Sequence, residues 1–382
     1  MPIFRYFLLL FNFLAFAGLT FAVQAALPIP PAPQIEARTW LLIDSASGAA
    51  LAQKNPDTRV EPASLTKIMT AYLAFKAIRE GRLQLEQTLP VSEKAWHTEG
   101  SRMFLDPRKP AKVEDLLKGI IVQSGNDACI VVAEAIAGSE EGFVAMMNEM
   151  AKRLGMSKTH FVNSTGLPDP LHMTTARDLI TLSKALVNDF PDFYKIYSMK
   201  EFTYSNIRQP NRNRLLFIDP SVDGLKTGHT NSAGYCLVTS AKRENRRLIS
   251  VVLGANSDIS RAMESQKLLN FGFQFYETVK LYSANQAVSR LRIYKGSSRE
   301  IKAGFLRDFH VTVPRGASKQ IKAELITQQP LLAPIAQGQR LGTVRLSVDG
   351  ELLGDYPLLA LEKVGVAGIL SRGWDNILLL FK

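Results

Sequence analysis

The stretch Pro62-Ala63-Ser64-Leu65-Thr66-Lys67 places a serine and a lysine three residues apart at the head of an apolar run. Leu65, Ile68, Met69, Tyr72, Leu73 and Ile78 recur at helical spacing, and Gly81 closes the run. This spacing predicts an amphipathic helix with Ser64 and Lys67 side by side on its first turn. A serine hydroxyl is a poor nucleophile until a base takes its proton. An adjacent amine is such a base when burial or nearby positive charge lowers its pKa. Taken alone, the pattern also describes a capped helix with a surface lysine.

Two later stretches give the first one weight: Ser124-Gly125-Asn126, and Lys226-Thr227-Gly228 continued by His229-Thr230. Acyl transfer to a serine needs a nucleophile, a base, a proton donor for the leaving amine and donors for the oxyanion. Ser64 is the candidate nucleophile and Lys67 its candidate base. Ser124, set between two lysines, can relay a proton to a departing nitrogen. Asn126 can orient Lys67 or hold a substrate carbonyl. Lys226 adds a second positive charge, which helps to keep Lys67 neutral. Thr227 can hydrogen-bond a carboxylate, and Gly228 lets a substrate backbone lie close to a strand. Without the other motifs, Asn126 is equally a helix cap and Thr227 a strand residue.

The 382 residues suffice for about two domains. With 46% hydrophobic and 21% charged residues the chain reads as globular. A formal charge of +11 serves solubility or attraction to anionic surfaces such as lipid headgroups. No Arg/Lys run interleaves with aromatics, so nucleic acid is not an expected partner. Arg5, the apolar run Tyr6 to Ala22 and the small residues around Val23-Gln24-Ala25 form an export signal, residues 1–25. Cleavage after Ala26 and an uncleaved anchor are the alternatives. Residues 26–37 follow as a proline-rich linker. Cys129 and Cys236 lie in apolar runs and read as buried free thiols, although an exported protein can form a disulfide. Neither a C-x-x-C pair nor clustered histidine suggests a metal, and no cofactor is called for.

Thr39–Asp44 and Ala49–Gln53 read as a hairpin ahead of the serine. Residues 82–112, which hold Gly100–Leu105, read as loop and as a candidate active-site rim. Val113–Val122, Ala128–Ala137, the run opened by Ser139 and stopped by Gly155, and Leu179–Val187 behind Thr175 read as helices. Strands follow around Phe202–Ser205, at Lys226 onward, at Gly234–Ala241 and at Arg247–Leu253. A helix over Ser257–Thr278 closes the unit. Strands at both ends with helices between predict an α/β (α+β) domain with an antiparallel sheet, residues 38–281. Residues 282–362 carry short segments separated by Gly, Pro and Asp and read as a small all-β domain, with strands at Arg290–Tyr294, Phe309–Val313, Lys319–Leu325, Gly342–Val348 and Asp355–Ala360. Residues 363–382 read as an amphipathic helix. Val366, Ile369, Leu370, Trp374, Ile377, Leu378 and Phe381 form one stripe opposite Arg372 and Asp375. It is too short to span a bilayer and suits the membrane interface, or a helix packed on its own domain.

The three motifs resemble those of the low-molecular-mass penicillin-binding proteins, specifically the D-alanyl-D-alanine carboxypeptidases. The surroundings Glu61–Lys67, Gln123–Cys129, Arg208–Asn213 and Asp223–Thr230 are similar to that family too, and the likeness covers essentially the whole chain. Gly125, where many β-lactamases have Asp, and the absence of an E-x-x-L-N pattern between Asn126 and Lys226 favour the carboxypeptidase branch. The resemblance implies a β-lactamase/transpeptidase-like fold and an acyl-enzyme on Ser64. It implies proton handling by Lys67 and Ser124, and substrate contacts from Asn126, Lys226, Thr227 and Gly228. The backbone N–H groups of Ser64 and His229 would form the oxyanion hole. Arg261 would face the substrate's terminal carboxylate and Arg212 would buttress Lys226; for each arginine a surface role is the alternative. The implied partners are peptidoglycan pentapeptide stems, β-lactams as covalent inhibitors, and the periplasmic face of the inner membrane through the terminal helix. Alternatives are a DD-endopeptidase or β-lactamase on the same fold, or a non-catalytic wall-binding or β-lactam-binding module.

Overall fold

A computed structural model describes residues 29–327 and 329–379 of the chain. The expected export signal and the start of the linker lie outside the described residues. Five strands form the sheet of the N-terminal domain: β1 (Thr39–Asp44), β2 (Ala50–Lys54), β3 (Val222–Thr230), β4 (Gly234–Arg243) and β5 (Arg246–Ala255). Their order is β2-β1-β5-β4-β3, antiparallel throughout. Successive strand residues face opposite sides. Leu41, Ile43, Val238, Ile249 and Val251 therefore enter one core, and Trp40, Leu42, Leu237, Leu248 and Val252 the other. Burial on both faces explains why these strands read as nearly continuous apolar runs.

Helices α1 (Lys67–Arg79), α2 (Asn126–Ala137), α3 (Glu140–Leu154) and α4 (Ala176–Asp189) build the first core, and α5 (Asp258–Phe275) covers the other face. Their starts obey local chemistry. The hydroxyls of Ser139 and Thr175 each accept an N–H three residues on at 3.1 Å, and Ser257 does so at 3.0 Å. Helix α1 differs from the amphipathic expectation: every residue from Lys67 to Phe75 is buried. A helix apolar on all sides belongs inside a domain, and α1 is its central rod. The lysine at its head is thus carried into the interior.

Other departures from expectation are local. Residues 82–112 contain a short helix, Glu93–His97, and a ladder pairing Thr88–Leu89 with Ala111–Lys112. The helix expected over Val113–Val122 is α only to Lys118, and Gly119–Gln123 winds as a π-turn. Such turns replace the regular ladder and re-aim the residue that follows, here Ser124. Cys129 and Cys236 are both buried free thiols.

Strand Tyr276–Tyr282 leaves α5 directly and pairs with Phe309–Pro314, so β-pairing reaches back ahead of the boundary expected after residue 281. A six-stranded sheet follows, ordered Ile321–Thr327, Arg340–Val348, Glu351–Ala360, Glu300–Gly304, Ala287–Tyr294 and Leu331–Leu332. The sequence pattern does not announce Glu300–Gly304, because a five-residue strand with two charged residues carries little period. Leu291, Ile301, Val311, Val344, Leu346 and Leu358 fill this domain's core.

The fully buried Asp44 ties the domains together. Its Oδ2 accepts from Arg246 Nε at 2.9 Å and from Thr278 Oγ1 at 2.6 Å. Thr312 bonds both Thr278, at 2.9 Å, and Ser47, at 2.7 Å. The terminal helix runs Ile369–Leu379, shorter than expected, since Val366 instead bridges to Gly296. Asp375 accepts the Lys295 N–H, while Ile369, Trp374 and Ile377 are exposed. Among the described residues no helix is long and apolar enough to cross a membrane.

Candidate active site

Ser64 does not sit on α1 itself. It lies on a single 3-10 turn, Ala63–Thr66, and Lys67 is the first residue of the helix. The two side chains still meet: Lys67 Nζ donates to Ser64 Oγ at 3.0 Å. The same ammonium donates to Asn126 Oδ1 at 2.7 Å and to the Thr165 carbonyl at 2.5 Å. These three acceptors satisfy all three of its protons. Asn126, at the start of α2, is held in turn, its Nδ2 donating to the Glu99 carbonyl at 2.6 Å.

Glycines let the surrounding chain close on this turn. A Cβ at Gly166 would lie 1.9 Å from the Ala63 carbonyl oxygen, and φ there is +85°. A Cβ at Gly228 would lie 3.1 Å from the Pro62 oxygen and 3.2 Å from Ser64 N. Strand β3, an edge strand of the sheet, therefore runs with its K-T-G segment against the serine's backbone. Ser124 follows the π-turn in left-handed conformation, φ +65°, ψ +32°, and is buried.

The ten residues singled out in the sequence gather in one place. Ser64, Ser124, Thr227, Gly228, His229 and the two arginines, Arg212 and Arg261, line a cleft of about 460 Å³. Lys67, Asn126 and Lys226 are buried around it. Arg261 is 7% exposed, and its Nη1 donates to the Gly228 carbonyl at 3.0 Å, so it is not a surface residue. Lys226 Nζ donates to the Thr227 carbonyl at 3.0 Å. Arg212 is exposed, but it lines the same cleft and its charge reaches inward. Toward Lys226 that charge is repulsive and lowers the pKa of the neighbouring amine.

Burial dominates the electrostatics. It pushes the Lys67 amine down to about 8, opposed by Cys129 and Asp127 and aided by Arg212. Lys226 is pushed well below the lysine range by burial and by the positive charges of Lys67, Arg212 and Arg261. An amine poised near neutrality, 3.0 Å from a hydroxyl, can take that hydroxyl's proton. The cationic wall can receive a carboxylate. Among the described residues no cluster of His, Cys, Asp and Glu has the makings of a metal site.

Three contributors, Thr165, Gly166 and Tyr235, are not singled out as site residues in the sequence. Thr165 acts through its carbonyl, which every residue type offers. Gly166 is required by a contact with a segment about a hundred residues away. Tyr235 also lines the cleft, and Gly100 and Ser101 line it from the loop expected as its rim. Only Tyr235 carries a signal, since it lies opposite His229 in the β3–β4 hairpin.

Residues 26–257 match the D-alanyl-D-alanine carboxypeptidase family, peptidase family S11, and residues 276–366 match the penicillin-binding protein 5 C-terminal domain. The chain is 44% identical over 374 residues to D-alanyl-D-alanine carboxypeptidase DacC of Escherichia coli K12, across 96% of this chain and 93% of that protein. It aligns with the crystal structure of penicillin-binding protein 5 from Haemophilus influenzae at a TM-score of 0.85 and 41% identity, covering 88% of this chain and 100% of the other. Penicillin-binding protein D2 from Listeria monocytogenes, in its ampicillin-bound form, aligns at a TM-score of 0.59 and 31% identity over 64% of this chain and 100% of that one. With matches that run through both domains, the chain belongs to the D-alanyl-D-alanine carboxypeptidases, the penicillin-binding serine hydrolases that act on peptidoglycan.

Proposed function

We propose that Ser64 is the nucleophile with which this carboxypeptidase removes the terminal D-alanine from pentapeptide stems. The observation that carries the assignment is the 3.0 Å contact from the buried Lys67 Nζ to Ser64 Oγ. In its neutral form Lys67 takes the Ser64 proton as the oxygen attacks the penultimate D-alanine carbonyl. The oxyanion that forms is met by the backbone N–H groups of Ser64 and His229. The proton held by Lys67 is relayed through the Ser124 hydroxyl to the departing amine, the C–N bond breaks, and an acyl ester remains on Ser64. Lys67 then takes a proton from the water that attacks the ester, the bond from the acyl carbon to Ser64 Oγ breaks, the proton returns to Oγ, and the tetrapeptide carboxylate departs.

Asn126 fixes Lys67 and offers its amide to a substrate carbonyl. Thr227, Arg261 and Arg212 receive the terminal carboxylate, Lys226 contacts the substrate beside them, and Gly228 admits the peptide beside β3. A β-lactam carries an equivalent carbonyl and carboxylate and acylates Ser64 likewise; the ampicillin-bound Listeria protein supports this reading. The export signal expected from the sequence and the outward Ile369, Trp374 and Ile377 support a protein held at the outer surface of the cytoplasmic membrane.

The decisive experiment pairs D-alanine release from a diacyl-Lys-D-Ala-D-Ala peptide with intact-mass detection of bound penicillin. Wild type is expected to release D-alanine and gain one penicillin on the peptide containing Ser64. Ser64→Ala is expected to lose both, and a residual covalent adduct in that variant would move the nucleophile elsewhere.

A further inference from the structure

A second cavity, about 750 Å³, adjoins the catalytic cleft and is larger than it. Loop 99–106 is the partition between them. Gly100 and Ser101 face the catalytic cleft, whereas Arg102, Phe104 and Leu105 face the second cavity. The partition is fastened at the start of α2. Asn126 N donates to the Ser101 carbonyl at 2.7 Å, and the buried Asp127 carboxylate accepts from Met103 N at 3.0 Å and Leu105 N at 3.1 Å. Asp127 is itself the inner wall of the second cavity.

Phe104 is the unexpected feature. A bulky residue at φ +66° is costly. Here the strain does not serve core packing, because the side chain is 47% exposed. The Arg102 guanidinium lies 5.6 Å from the centre of its ring. Trp96, on the Glu93–His97 helix, lines the same cavity and is 40% exposed. Glu93, Asp106 and Arg108 complete the polar rim, with Asp106 and Arg108 paired at 3.0 Å.

This lining selects by elimination. The carboxylates of Glu93, Asp106 and Asp127 are interspersed with the guanidinium groups of Arg102 and Arg108, so neither a polyanion nor a polycation is matched. The charged rim is too extensive for a purely apolar peptide face. Two exposed aromatic rings among carboxylates and guanidinium groups suit a neutral polyhydroxylated ligand. The C–H face of a pyranose packs on the rings, and its hydroxyls donate to carboxylates and accept from arginine. We infer that the cavity of Trp96 and Phe104 is a saccharide subsite, which holds the glycan that carries the stem peptide while the peptide enters the neighbouring cleft. The identity of the sugar as the substrate's own glycan rests on the carboxypeptidase reading.

The test compares two substrates with the full-length protein: a free pentapeptide ending in D-Ala-D-Ala, and the same peptide on an N-acetylglucosaminyl–N-acetylmuramyl disaccharide. The readout is the ratio of their kcat/KM values for D-alanine release. Wild type is expected to prefer the disaccharide-linked peptide, and Trp96→Ala is expected to lower the ratio about fivefold, the scale of one aromatic contact. Phe104→Gly should do the same, and its left-handed backbone suits glycine, so the fold is retained. A ratio near one in wild type, or a ratio unchanged in both variants, overturns the subsite. Failure to release D-alanine from either substrate would instead strike the carboxypeptidase reading.

Discussion

As the proposed base, Lys67 meets two demands that conflict. It must be buried to give up its proton near neutrality, yet a buried ammonium needs partners. Three acceptors supply them, from Ser64, Asn126 and Thr165. The consequence is a pH profile with a definite sign. Burial lowers this amine to about 8, so its base form grows as pH rises. The kcat/KM for D-alanine release should climb about tenfold per pH unit below that value and flatten above it. Lys67→Arg is the matched control. Guanidinium keeps the charge but cannot act as a base at these pH values, so kcat should fall by roughly 10²–10⁴ with no rise in the alkaline limb. The residue types of the site are legible in the sequence because hydroxyl, amine and amide chemistry demands particular side chains at Ser64, Lys67, Ser124, Asn126 and Lys226. The Thr165 carbonyl is not, because backbone chemistry leaves no mark on residue choice.

At the scale of elements, capping residues announce α3 and α4, and apolar runs announce the sheet. Local chemistry acts over a few residues and is written there. The 3-10 turn under Ser64 and the π-turn before Ser124 look like ordinary helix in the sequence, since both depart from α geometry only through what packs around them. Glycines reveal the same divide. Gly166 and Gly138 both have positive φ, but only Gly166 faces a neighbour, the Ala63 oxygen standing 1.9 Å from where an alanine methyl would be. Nothing lies within 4 Å of the corresponding point at Gly138. Gly138→Ala should therefore cost about 1 kcal/mol from backbone strain alone. Gly166→Ala should cost at least about 3 kcal/mol and slow penicillin labelling, because it displaces the turn that aims Ser64. Urea midpoints of the two variants decide this, and equal losses would mean that the closure around Ser64 is slack.

For the whole molecule, the two domains meet through buried polar contacts at Asp44 rather than through a continuous core, and the terminal helix is fastened to the β domain, where Asp375 accepts the Lys295 N–H. Function should divide accordingly. Removal of residues 369–382 is expected to free the protein from anionic lipid vesicles in a flotation assay while D-alanine release from soluble peptide stays within about twofold of wild type, since no catalytic group is lost. Retention on vesicles would assign the contact to another surface.

The cleft is assembled from segments near residues 64, 124, 165, 212, 227 and 261, which are joined only by tertiary packing. No fragment of the chain brings these pieces together by itself. Covalent capture of a fluorescent penicillin is therefore a reporter of conformational integrity as much as of chemistry. Across a denaturant series its amplitude should vanish in step with global unfolding of the catalytic domain, so the antibiotic counts natively assembled molecules one by one.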